Sequence, residues 1–106
     1  MVSLMGLSLL KEIKLVQEMV FEMYEQLPHV LQLLEQVAMD RTVPRNIRTS
    51  AEQVAESIKN DKQPMDLRIS SAIHTLDEVS NDPNIPLYTR TQIWNIVSML
   101  ENCRQN

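Results

Sequence analysis

From Leu9 the apolar residues recur at Leu9, Ile13, Val16, Val20, Met23, Leu27, Val30, Leu34 and Val37, in alternating steps of four and three. That spacing keeps one stripe on one face of a helix. Pro28 falls inside the stripe, where it removes a backbone hydrogen bond and crowds the carbonyl four residues earlier. The apolar phase survives the proline, and "EQLPHV" holds neither glycine nor a strong cap, so the pattern predicts one long first helix to about residue 39, kinked at Pro28. Further helices are predicted near 43–59, 64–80 and 85–103. Together they form an all-α bundle of four helices, centred on Ile47, Ala51, Val54 and Ile58 against Ile69, Ile73, Leu76 and Val79.

Beyond residue 40 the chain repeats itself. A shift of 42 residues lays 30–58 over 72–100, matching Leu34 with Leu76, Asp40 with Asp82, Pro44 with Pro86, Arg48 with Arg90 and Thr49 with Thr91. Apolar positions follow: Val43 with Ile85, Ala51 with Ile93, Val54 with Ile96, Ile58 with Leu100. Two helices per unit at this period describe HEAT-like helical hairpins. The chain thus reads as a single helical domain, with an N-terminal extension over 1–29 and hairpin units at 30–58 and 72–100.

A finer echo opens three successive helices with "PRNIR", "PMDLR" and "PLYTR", each preceded by an aspartate, Asp40, Asp61 or Asp82. Proline suits a first helical turn, whose N–H groups lack intrahelical partners, and an aspartate there favours the positive end of the dipole. Arginine at that end opposes the dipole, so Arg45, Arg48, Arg68 and Arg90 call for compensating partners.

Composition narrows the functional classes. The 106 residues are 43% hydrophobic and 23% charged with one glycine, which suits helices better than turn-rich sheets. A net charge of −4 opposes sequence-independent binding to nucleic acid. The lone Cys103 forms no intramolecular disulfide and suits a reducing cytoplasm, the expected localisation. "MVSLMGLSLL" is too short to span a bilayer and lacks the basic flank of a secretion signal.

No catalytic constellation stands out. His29 and His74 lie far apart with no ligand spacing, Asp77–Glu78 and Glu52/Glu56 read as solvated helix surface, and Gly6 alone makes no phosphate loop. The expectation is therefore no enzyme, no cofactor and no metal.

Two surfaces remain as candidates. Arg41, Arg45 and Arg48 at a helix start, with Arg90 at the repeat position of Arg48, could hold phosphate or an acidic partner. The last helix carries more apolar residues than one face can bury, with Tyr88, Trp94 and Val97 as a candidate interface. The chain's own N-terminal helix is the first expectation for what covers that face; a second copy and a foreign partner are the alternatives.

"DRTVPRNIRTSAEQVA" resembles a HEAT-type unit, "D...VR..A...A", which implies that the aspartates and arginines pair as a ladder between repeats. At "DRTVPRNIR" and "NDPNIPLYTRTQIWNIVSMLE" the chain resembles a family of short all-helical archaeal proteins without an assigned activity, over residues 30–102. That resemblance implies a helical bundle and an archaeal source, and carries over no catalytic residue. The functional expectation is a non-enzymatic protein-interaction or scaffold module that self-associates; the alternative is a ribonucleoprotein-associated adaptor binding phosphate or RNA through the arginine edge.

Overall fold

The structure, a computed structural model, describes the backbone of residues 4–104 and the side chains of 8–19 and 24–104. Residues 1–3 of the expected extension, and the side chains of Val20 and Met23 in the expected stripe, lie outside the described residues.

Five helices, not four, make up the described residues: α1 (Leu4–Tyr24), α2 (Leu27–Met39), α3 (Arg45–Lys59), α4 (Met65–Ser80) and α5 (Leu87–Cys103). The expected kinked helix is broken instead. Pro28 cannot donate to the carbonyl of Tyr24, and its ring crowds that same carbonyl, so α1 ends there. Glu25 and Gln26 form a turn, and α2 restarts with Pro28 in its first turn, where the missing N–H costs nothing. Gln26 keeps helical dihedrals and its carbonyl accepts the Val30 N–H at 2.9 Å, which preserves the apolar phase across the break.

The other three boundaries follow the prolines. Pro44, Pro64 and Pro86 stand just before their helices with φ near −60° and ψ near 145°. Their carbonyls accept the N–H groups of Arg48, Arg68 and Arg90 at 3.0–3.1 Å. Proline's fixed φ holds this extended entry, and at these three sites it also disfavours helical geometry at the preceding residue.

α2 packs on α3, α3 on α4, α4 on α5, and α5 returns against α2. This last contact closes a bundle of the four helices α2 to α5, with α1 as a fifth helix outside the expected count, and the HEAT-like character expected of the two hairpins is not matched. The repeat instead records a shared buried face: Leu34 and Leu76, Val54 and Ile96, Ala51 and Ile93, Ile58 and Leu100 are all buried in one core. Burial of each leucine, isoleucine or valine among them contributes about 1.5–3 kcal/mol. Ile73 and Val79, expected at the centre, are only partly buried at its edge, and Val30, Val37 and Cys103 join the core in addition.

α1 is the exception to this packing. It touches the bundle through α5 and through Tyr24, and the molecule extends 65 × 23 × 19 Å. Every residue from Ser8 to Met19 is exposed. The expected cover of α5 by the N-terminal helix is thus absent: the break after Tyr24 sends α1 away from the bundle, and Leu87, Tyr88 and Trp94 stay 73%, 70% and 52% exposed. No helix among the described residues is long and apolar enough to cross a membrane.

Candidate functional site

The arginines were expected to pair with the repeated aspartates, but among the described residues no ion pair joins them. They bind backbone carbonyls. Arg90 Nε donates to the Ser80 carbonyl at 2.9 Å and its Nη2 to that of Asp82 at 3.4 Å. Arg68 does the same one helix earlier, Nε to Gln63 at 2.7 Å and Nη1 to Ile58 at 3.1 Å. Arg48 gives Nε to Val43 at 3.1 Å.

The physical reason lies at the helix C-termini. A helix leaves its last carbonyls without intrahelical partners, and a glycine in the left-handed region commonly closes that end. Here no described residue has positive φ. Arg68 and Arg90 instead reach back ten residues to the ends of α3 and α4, where a cation also complements the dipole. The same side chain that opposes the dipole of its own helix therefore favours that of the helix before.

The acidic half of the motif acts within the loops rather than on the helix starts. Asp40 accepts the Thr42 hydroxyl at 2.6 Å and its N–H at 2.9 Å, and these bonds hold the Asp40 carboxyl below its ordinary value of 3.8. Asp82 accepts the Asn84 N–H at 2.8 Å. In the middle loop Asn60, not Asp61, plays this part, accepting the Lys62 N–H at 3.1 Å. The device is an Asx turn four residues before each proline. Asn46 Nδ2 also donates to Asp82 Oδ2 at 2.9 Å, tying the start of α3 to the loop before α5 at the same end of the bundle.

Of the four candidate anion contacts, Arg48 and Arg90 are thus part-buried with Nε committed to carbonyls, while Arg41 and Arg45 are exposed. A groove of about 270 Å³ between α2 and α3 has Leu34, Ala38 and Ala55 in its lining. Glu35, Glu52 and Glu56 line it as well, with Lys59 3.7 Å from Glu35 and 3.9 Å from Glu56. That acidic lining is unsuited to phosphate. His74 meets Glu78 at 2.8 Å on the surface of α4, and no group of three metal-ligating side chains gathers among the described residues.

The apolar candidates are differently placed. Tyr88 and Trp94 stand exposed on α5, with Leu87 beside Tyr88, while Val97 is partly buried against the core. Trp94 occupies the repeat position of Glu52, and both are exposed, so the second hairpin replaces a charged surface residue by the chain's one tryptophan. The exposure of α1 was not legible beforehand, because its stripe has the same spacing as the buried stripe of α2.

These features define a small closed helical bundle with an apolar helix outside it. The sequence matches the uncharacterised protein family UPF0147 over residues 14–103, and the chain belongs to that family. It is 50% identical to the UPF0147 protein MJ1419 of Methanocaldococcus jannaschii over 80 residues, 76% of this chain and 86% of that one. It is 44% identical over 81 residues to the UPF0147 protein PF0239 of Pyrococcus furiosus, covering 76% and 87%. Two crystal structures share the fold. One is a UPF0147 protein from Thermoplasma acidophilum, 34% identical with a TM-score of 0.73 over 74% of this chain and 93% of that one. The other, of the unknown function protein MMP1188, is 46% identical with a TM-score of 0.69, covering 72% and 86%.

Proposed function

We propose that the chain is a non-enzymatic protein-interaction or scaffold module that self-associates, acts in the cytoplasm and engages a protein partner through the outer face of α5, at Tyr88, Trp94 and Val97. One observation carries this reading: Leu87, Tyr88 and Trp94 are exposed by half or more on a helix whose opposite face is already filled by the core. Tyrosine and tryptophan supply large contact area at low entropic cost and dominate the energetics of many interfaces. The commitment of Arg48 and Arg90 to carbonyls favours this face over the arginine edge.

The test is capture of partners on the tagged protein from native lysate, with and without nuclease and at low and high salt. Wild type is compared with Trp94→Asp and Arg45→Glu, both at exposed positions. Retention through nuclease and high salt, with loss in Trp94→Asp, is the expected result. Nuclease- and salt-sensitive capture, lost in Arg45→Glu and kept in Trp94→Asp, would overturn it in favour of a ribonucleoprotein adaptor working through Arg41 and Arg45.

A further inference from the structure

The described part of α1 exposes Leu9, Leu10, Ile13, Leu15, Val16 and Met19, each between 46% and 62% accessible. On a helix of 3.6 residues per turn these six span an arc of roughly 220°, with Glu12 and Gln17 inside it and Lys11, Lys14 and Glu18 together on the remaining side. A helix this apolar gains by covering that face, since in proteins most helical stability comes from packing an apolar face rather than from intrinsic propensity.

Its own bundle does not cover that face, because α1 leaves the bundle at Tyr24. A lipid surface suits it poorly: interfacial helices are rich in basic residues on the polar face, whereas Lys11 and Lys14 are outnumbered in α1 by Glu12, Glu18 and Glu22. A second copy fits on three counts. The four-three spacing of Leu9, Ile13 and Val16 continues in Leu27, Val30, Leu34 and Val37, which in α2 are covered by helices, so the stripe is of a kind that helices pack against. With two lysines against three glutamates, α1 carries both signs and little net charge to repel an identical helix. The six side chains together expose on the order of 600 Å² per copy, of which one facing helix would cover the part centred on Leu9, Ile13 and Val16, a contact at the small end of the range for specific interfaces.

We propose that α1 is a dimerisation arm that packs against α1 of a second copy of this chain. This deepens the interaction-module reading and rests on it: the pairing leaves the outer faces of both α5 helices open, so one dimer presents the Tyr88 and Trp94 surface twice and gains by avidity against a partner with two sites.

The experiment is sedimentation equilibrium of the full chain over a dilution series, for wild type, the double variant Ile13→Glu with Val16→Glu, and Trp94→Asp. Wild type and Trp94→Asp should have the mass of two chains and the double variant that of one. Ile13 and Val16 lie outside the core, so the double variant should keep the near-ultraviolet signal of Trp94 and the cooperative melt of the bundle. Any wild-type mass other than two chains overturns the proposal, including a single chain that co-sediments with phosphatidylglycerol vesicles. So does a two-chain mass in the double variant, or dissociation by Trp94→Asp. The two readings fail separately: a monomer whose lysate partner is still lost in Trp94→Asp refutes only the arm, and a dimer whose partner ignores that change refutes only the α5 face.

Discussion

Replacing Arg90 by leucine separates a structural arginine from one held for a ligand. The carbonyl of Ser80 ends α4 and has no helical N–H to accept, and Ser80 itself is buried. The 2.9 Å bond from Arg90 Nε satisfies it, while the 3.4 Å contact to Asp82 is too long to add much. A hydrogen bond from a charged donor contributes about 1.5–3 kcal/mol, and favourable placement at a helix C-terminus some tenths more. Arg90→Leu should therefore cost about 2 kcal/mol, which in a domain of this size lowers Tm by about 10 °C. Arg68, with bonds of 2.7 and 3.1 Å, should cost at least as much, and Arg48, with one bond of 3.1 Å, about half. Arg41→Leu and Arg45→Leu should stay within about 0.5 kcal/mol of wild type, as exposed positions do. Thermal unfolding followed by circular dichroism at low and high salt reads all five. The partners are carbonyls and not carboxylates, so high salt should leave the ranking intact. An Arg90→Leu protein melting within about 2 °C of wild type, or an Arg45→Leu protein falling as far as Arg90→Leu, would refute the assignment.

Leu76→Ala should cost about 2–5 kcal/mol by opening a cavity at a fully buried site, whereas Ile73→Asp, at the half-buried edge, should destabilise less than Leu76→Asp; urea titration orders them. Asp40→Asn should keep the Asx turn, as Asn60 does in its loop, and lose its pH dependence. Because the folded carboxyl titrates below 3.8, its contribution is present above that pH and disappears as pH falls through the folded value, so the gap between wild type and Asp40→Asn should narrow in acid. Burial pushes the Cys103 thiol above its ordinary 9.0. Stability linked to it is whole below 9.0 and declines as pH rises toward the folded value, so the melting temperature of wild type should fall more steeply in alkali than that of Cys103→Ala. A thiol reagent at neutral pH should label Cys103 only as fast as the last helix opens.

The starts of α3, α4 and α5 lay within two residues of their predicted positions because proline acts locally: its ring fixes φ and disfavours helix at the residue before it. The repeat foretold the shared core positions for a similar reason, since burial on one helical face leaves a period that survives in the sequence. The same local rule read at Pro28 gave a kink where the structure has a break. A continuous apolar phase and a proline crowding the Tyr24 carbonyl are compatible with both, and the turn at Glu25 and Gln26 is what distinguishes them.

What tertiary structure alone decided concerns contacts between distant segments. Arg68 and Arg90 stood beside aspartates in the sequence, yet their donors point to carbonyls at the ends of the preceding helices, brought near by the Asx turns. Asn60 displaced Asp61 because the turn needs an acceptor four residues before the proline, and amide oxygen serves as well as carboxylate. The stripes of α1 and α2 have the same spacing, but the return of α5 against α2 covers only the second. Periodicity tells which face of a helix seeks cover; whether this chain supplies that cover depends on where its helices end in space.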